Sequence, residues 1–539
     1  MNPYNRVKKL RPRRNAFDLT HRVNGTCDFG EIIPICALEA SPSDFFKLAN
    51  QVTIRFQPLA APVMHEYTVQ THYWFVPYRL LFDQWEEFIS NGDQPVPITL
   101  PRWIPSNTDL QIRTLWDYFG FSLQGASFAP LAFPRRAYNM VYNEYYRDQN
   151  LIDERPLDNG NILRAAWRKD YFTASLPFQQ RGVAPSLPVN TSINYVTPTS
   201  PPTTPVNIRF AGGLNQPSDN KVSGGVMISP GSPAPANIEP GGSFSQRLLG
   251  AFGVSYAGGA LAVDPDAIAQ QMVRGLAATS TSFDISAFRV AARLQEWLER
   301  NARAGSGRYT EILQAHFSVS PTDERLQRPE YIGGTRTPLV ISEVLQTSAT
   351  TSSGDDASPL AQMGGHGLSA DGQRIGTYNV KEYGMILGLL IVRPKPAYQQ
   401  GIHRQWLRQF PTDFLWPEFT HLSEQGIYRA EIYSSDDGLA ANKQIFGFIG
   451  QYDELRSMPD YVVSEMRKIS DETPQLSYWN HARWFSSAPS LNQEFVTCAP
   501  DHRIMAVADV PPIIYNALNL ITAVRPLPLI AEPSINSVL

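Results

Sequence analysis

The run Tyr383 to Val392, YGMILGLLIV, is almost unbroken by a polar side chain. Its core, Met385 to Val392, is too short to cross a bilayer. An apolar run of this length without alternation is what a strand covered on both faces requires. A chain that carries it must build a sheet with two dry sides. Tyr67 to Val76 gives the complementary signal, because Tyr67, Val69, Thr71, Tyr73 and Phe75 share one face. Thr68, Gln70, His72, Trp74 and Val76 share the other, and Pro77 ends the strand. His72 sits beside Gln70 on the more polar face and reads as a hydrogen-bonded strand residue, not a ligand.

Other strand-like runs are Phe29 to Phe46 and Asn50 to Gln57 around a Ser-Pro-Ser-Asp turn, and Pro338 to Leu345. Arg503 to Ala508 and Ile513 to Val524 are expected to close the sheet. With 44 Pro and 36 Gly in 539 residues, turns and long loops outweigh long helices. The 27 Phe, 23 Tyr and 10 Trp supply strand formers and large buried anchors. One composite β domain fits better than a string of α/β units.

Amphipathic helices are predicted at Arg79 to Ser90, Asp109 to Phe119 and Arg135 to Asp148. A longer one covers Ala287 to Arg300, where Phe288, Ala291, Leu294 and Leu298, widened by Val290 and Trp297, predict a buried face. A short helix at Thr310 to Phe317 follows. Asp323 to Gly334 is polar and turn-rich, either an ordinary surface loop or one held by partners. Gly182 to Gly259 is dense in Pro, Ser, Thr, Gly and Asn and reads as a linker, or as a compact excursion with short strands at Val206 to Phe210 and Val222 to Ile228. Thr347 to Gly376, with Gly364-Gly365-His366-Gly367, is expected to be a mobile loop.

A net charge of −4 excludes a uniformly basic nucleic-acid binder, so any such contact must be local. The basic stretch is Met1 to Arg22, with Arg6, Lys8, Lys9, Arg11, Arg13, Arg14 and Arg22 against a single Asp18. It is either a frayed, solvated terminus or an arm lying on phosphates. Cys27, Cys36 and Cys498 are odd in number, without C-x-x-C spacing, and predict buried residues of a protein made in a reducing compartment. No apolar export segment follows the basic start, which predicts a soluble, cytoplasmically made protein. There is no P-loop, no H-E-x-x-H and no G-x-S-x-G, so no catalytic residue, metal site or cofactor is predicted.

The stretch ARLQEWLERNARAGSGRYTEILQAHFSVSPTDERLQRPEYIGG resembles the middle of the major capsid protein of the gokushovirus group of the Microviridae. HYWFVPYRLLFDQWEEFISNG, YNEYYRDQN, RKDYFT, YQQGIHRQWLRQFPTDFLWPEF and IFGFIGQYDELRSMPDYVVSEMR are similar to the same family. The resemblance implies a mainly β fold, the viral jelly-roll, an eight-stranded antiparallel β-sandwich with long helical and loop insertions. It implies a T=1 icosahedral shell around circular single-stranded DNA, with no enzymatic activity and no membrane insertion. The chain would divide into an inward basic arm (1–22), shell (23–181), a threefold surface insertion (182–259) and the remaining shell with intersubunit loops (260–539).

On this reading Arg6, Lys8, Lys9, Arg11, Arg13 and Arg14 meet nucleic acid. Arg293, Trp297, Arg300, Asp323, Glu324, Arg325, Arg328 and Tyr331 meet neighbouring subunits. Implied partners are copies of the chain, the packaged DNA, a small basic DNA-binding virion protein, a minor or pilot protein and a host surface receptor. The place would be the virion, assembled in the cytoplasm of a bacterial host. A β-rich carbohydrate-binding protein or glycosidase would also be aromatic and loop-rich, but gives no reason for the arm. A secreted adhesin would carry an export signal.

Overall fold

The computed structural model describes the chain apart from residues 1–12, 91–97, 125–128, 304–308, 321, 324, 346–362, 421–423, 471–475, 508 and 531–539, and within 184–284 only short stretches of backbone. Nine strands, numbered here in chain order, form one antiparallel sheet. They are Asn15–Asp18 (β1), His21–Cys27 (β2), Ile33–Ala40 (β3), Phe45–Phe56 (β4), Tyr67–Pro77 (β5), Glu330–Leu345 (β6), Met363–Asn379 (β7), Gly384–Pro394 (β8) and Ile513–Arg525 (β9). The order is β1/β2–β9–β4–β7–β6–β5–β8–β3. β1 and β2 lie end to end on β9, Asn15 opposite Arg525 and Cys27 opposite Ile513, so together they fill one of eight positions.

The sheet curls until its ends meet. The Asn519 side-chain amide on β9 donates to the Ile35 carbonyl on β3, 2.7 Å away, although those strands stand near opposite ends of the order. The result is the jelly-roll sandwich. Its interior takes Tyr67, Val69, Tyr73 and Phe75 of β5, Ile386, Leu390 and Val392 of β8, and Ile513, Tyr515, Ala517 and Ile521 of β9. The outer faces of the same β5 and β8 contribute Trp74, Val76, Met385, Leu387, Leu389 and Ile391 to a second core, capped by Leu81, Leu115, Trp116, Phe133 and Tyr138. β8 is therefore dry on both sides, which explains its unbroken apolar run.

The predicted helices supply that cover in shorter pieces. Arg79 to Ser90 breaks into Tyr78–Leu81 and Trp85–Ser90, because Phe82 turns extended at φ −152°. Of Asp109 to Phe119 only Leu115–Tyr118 is helical; Arg113 has φ +65°, and Thr114 caps the turn through its hydroxyl. Phe133–Val141 is helical and widens into a π turn at Tyr142–Tyr146.

Two expected loops are strands. Most of the glycine-rich half of Thr347 to Gly376 belongs to β7, and His366 pairs opposite Ser342 instead of moving freely. Its glycines answer to space: a Cβ on Gly365 would lie 2.4 Å from the Ala61 carbonyl oxygen, and one on Gly367 2.8 Å from the Phe56 ring. Glu330 to Gly334 of the polar passage begins β6 and pairs with β5. Conversely, Arg503 to Ala506 is no strand. The Arg503 guanidinium gathers Asp501 and the carbonyls of Ala482 and Ser477 into turns, leaving one bridge from Met505 to Leu59.

Residues 184–294 separate as a second compact unit. Its backbone holds an antiparallel sheet in the order Ile208–Phe210, Gly259–Val263, Val254–Tyr256, Arg247–Leu248, beside the pair Asn194–Tyr195 and Leu276–Ala277. The strand expected at Val206 to Phe210 is present as Ile208–Phe210. Val222 to Ile228 lies outside the described residues.

The sandwich interior also holds a polar chain. The Tyr73 hydroxyl donates to Asn519 Oδ1 (2.5 Å), Asn50 Nδ2 donates to Thr71 Oγ1 (2.8 Å), and Thr71 meets Thr335 across to β6 (2.7 Å). Tyr73→Phe removes the donor while leaving a buried acceptor, which is expected to cost about 1–3 kcal/mol. The reading is a lower urea midpoint at unchanged slope for the unassembled chain. A midpoint equal to that of the parent would deny this bond its role.

Candidate interaction surfaces

The long helix runs from Ile285 to Arg303, and its expected buried face is only partly covered by the described residues. Phe288, Val290, Leu294 and Trp297 are 49, 65, 44 and 51% exposed. The second half of the helix is anchored: the Gln295 amide donates to Gln180, Asn301 and Ala302 are buried, His316 Nε2 lies 2.7 Å from Asn301 Oδ1, and Arg303 meets Glu424 at 3.3 Å. Amphipathic spacing specifies an apolar stripe but not whose surface covers it.

The other residues expected at neighbouring subunits fall in two settings. Arg300 and Arg325 are exposed. Arg328 is held within the chain by Asp323 (2.6 Å) and over the Tyr145 ring (5.5 Å), and Tyr331 packs on Trp74 with ring centroids 4.7 Å apart. Glu324 lies outside the described residues. Of the basic arm, Arg13 and Arg14 are described and exposed just ahead of β1; Arg6, Lys8, Lys9 and Arg11 lie outside.

A further surface went unrecognised in the sequence. Along 402–419 three 3₁₀ turns (Arg404–Trp406, Pro411–Asp413, Pro417–Phe419) present Trp406, Phe410, Phe414, Leu415 and Trp416, which are 75, 63, 53, 54 and 48% exposed. The backbone below is pinned. Arg404 meets Glu431 at 2.9 Å and Arg408 meets Glu454 at 3.3 Å, both carboxylates being buried. Tyr171 donates to Glu431 and Gln425 to Glu454 (2.9 and 2.6 Å), while the Tyr452 hydroxyl holds the Phe414 carbonyl (2.9 Å). Burial raises the Glu431 carboxyl even with Arg404 beside it. The available signal was WLRQFPTDFLWPEF itself, too apolar for a solvent loop yet without strand or helix period.

Residues 5–535 match the model of the capsid protein (F protein) family. The chain belongs to that family. It is 32% identical to capsid protein VP1 of Chlamydia phage 1, over all of this chain and 98% of the relative. Against capsid protein VP1 of Bdellovibrio phage phiMH2K it is 32% identical, over 97% of this chain and 95% of the relative. Capsid protein VP1 of Spiroplasma virus 4 is 27% identical, over 97% and 96%. The gokushovirus resemblance thus holds along the whole chain, and the role is that of a structural major capsid protein of the virion.

Other features of this capsid chain are structural in chemistry. Cys27, Cys36 and Cys498 are buried free thiols, and burial pushes Cys36 and Cys498 up to about 12, where they stay protonated and inert. Among the described residues no helix is long and apolar enough to cross a membrane. His72 is hydrogen-bonded, with Nδ1 2.7 Å from the Tyr146 hydroxyl.

Burial pushes His72 down to about 4 and, helped by the neighbouring His481, His65 down to about 3. The unfolded chain protonates both near their ordinary value of 6.5. Their contribution to stability is therefore full above pH 6.5 and is lost as pH falls from there through the folded values. Glu424, pushed up to about 7 by burial, works the other way: its contribution is present below its ordinary 4.5 and lost as pH rises through 7. His65→Gln is expected to flatten the fall of the unfolding midpoint below pH 6.5. Superimposable midpoint profiles for parent and variant would remove His65 from this role.

Proposed function

We propose that this capsid chain closes as a T=1 icosahedral shell around a circular single-stranded DNA genome, assembled in the cytoplasm of a bacterial host. The observation that carries the reading is the full-length match to phage capsid proteins, and the apolar surface left open by a well-packed sandwich supports it. A coat subunit meets several copies of itself, so faces that look unfinished in one chain are finished by neighbours. The helix face at Trp297, with Arg293 and Arg300, and the passage carrying Asp323, Glu324, Arg325, Arg328 and Tyr331 are proposed among those contacts. Such a protein positions and encloses; it performs no catalysis. Imaging purified protein for closed particles of uniform diameter tests the reading, and a protein that stays monomeric under all assembly conditions overturns it.

The basic arm is proposed to lie on the packaged DNA, electrostatically and without sequence preference. Replacing Arg11, Arg13 and Arg14 together by Ala is expected to lower genome content and to make DNA retention less salt-dependent, since fewer counterions are released. Unchanged content and salt response would leave the arm a solvated terminus, with neutralisation falling to a small basic virion protein. A minor or pilot protein is a further proposed partner.

Residues 182–259 are proposed to project at the threefold axes and to meet the host surface receptor. Lengthening a loop costs little, roughly 0.6 kcal/mol per doubling, so a long excursion is tolerable. Its own short strands support a built knob over a bare linker. Shortening it to a brief Gly/Ser turn is expected to leave shell assembly nearly intact and to abolish most adsorption to host cells. Failure of the shortened chain to assemble would place the segment in the shell wall instead.

A further inference from the structure

We propose that a groove over Phe172 and Tyr398 receives the proline-containing tail Pro526 to Ile530 of a second copy of the chain. The proposal rests on the capsid reading above. The groove holds about 370 Å³, floored by Tyr171, Phe172 and Tyr398 and walled by residues 402–406 and 458–462. Its rims carry open apolar side chains, Trp406, Tyr461 and Met458 at 75, 66 and 56% exposed, beside Gln405, Asp460 and Arg467. The walls do not need to be ordered by an occupant. Ala397 and Tyr398 pair in parallel with Asp460 and Tyr461, the Ile402 amide donates to the Ala430 carbonyl (2.9 Å), and Arg404 is locked on Glu431.

The occupant that suits a fixed aromatic slot is an extended apolar segment with φ restrained by proline, since neither side then loses much freedom on binding. The chain carries such a segment directly after β9: Pro526-Leu527-Pro528-Leu529-Ile530. Leu527, Leu529 and Ile530 are 50, 71 and 68% exposed. Pro526 and Pro528 lack the amide hydrogen that adding a strand would use, so the tail is not built to extend the sheet.

The topology decides which copy supplies the tail. Arg525 pairs with Asn15, next to Val524 opposite Phe45, at the end of the sandwich where β3 turns into β4 and β8 begins at Gly384. The groove follows the other end of β8, past Pro394. β8 has 11 residues and so spans roughly 33 Å at ~3.3 Å per residue. Pro526 to Ile530, fully extended, reaches about 18 Å. These residues cannot fill the groove of their own chain. A neighbour must bring them, and the contact then ties two subunits through a tail exchanged between them.

The test pairs Tyr461→Cys with Leu529→Cys in the full chain; the three native cysteines are buried. Assembled particles treated with a mild oxidant are expected to give disulfide-linked dimers and higher ladders on a non-reducing gel, and either single variant to give none. Particles that form without linkage, or that give only an internally linked monomer, overturn the tail exchange and leave the capsid reading standing. Independently, a synthetic peptide of residues 525–534 is expected to bind the unassembled chain saturably, followed by tryptophan fluorescence, with affinity falling about tenfold in Trp406→Ala, as for an interface anchor. If the parent chain forms no particles, the capsid reading fails by itself and the peptide decides the groove: absence of binding overturns the docking as well.

Discussion

Asn519 is fully buried on the strand that completes the sheet, and its amide joins three parts of the barrel at once. The oxygen accepts from Tyr73 on β5, and the nitrogen donates to the backbone of β3 and lies 3.3 Å from His21 Nε2 on β2. Apolar packing alone tolerates sliding, because leucine against isoleucine is nearly as good one notch along. A buried amide is different: a slipped register leaves its oxygen and nitrogen without partners in a medium that offers no water. The polar chain from Asn519 to Thr335 therefore sets how the curled sheet meets itself, while the phenylalanine and isoleucine side chains around it supply most of the driving force.

Once that register is set, much of the glycine pattern follows. Gly334, Gly365 and Gly367 sit where a neighbouring backbone or ring comes so close that a methyl group would collide. The composition of 363–376 resembles that of a flexible linker, yet the residues are a paired strand in the middle of the sheet. Glycine can mean conformational freedom or the need for close approach, and a local window does not distinguish the two.

The same limit explains what was legible in the sequence and what was not. β5 and β8 were legible because both faces of a strand write themselves into alternation or into an unbroken apolar run. The jelly-roll was legible through family resemblance, carried by long stretches such as the one ending at Gly334. The face of Ile285–Arg303 was legible only in part: the spacing of Phe288, Leu294 and Trp297 shows that a stripe exists, and says nothing of how much of it the rest of the chain covers. The aromatic surface at 406–416 escaped for a related reason. Its side chains follow no period because no regular element presents them; isolated turns do.

Those turns are held by buried ions, and buried ions are a poor source of net stability, since desolvation offsets most of their attraction. Arg404 on Glu431 and Arg408 on Glu454 make better sense as devices for position. A guanidinium fixed by a carboxylate below, with backbone carbonyls gathered beside it, allows few loop conformations. Trp406 and Phe414 thereby stay exposed on a backbone that polar contacts hold from beneath. An exposed aromatic on a flexible loop would collapse onto its own chain or promote disordered aggregation. Held rigid, it stays available and loses little entropy when a neighbour arrives. A capsid subunit that packs with copies of itself has reason to put its charged pairs inside such loops and its tryptophans outside.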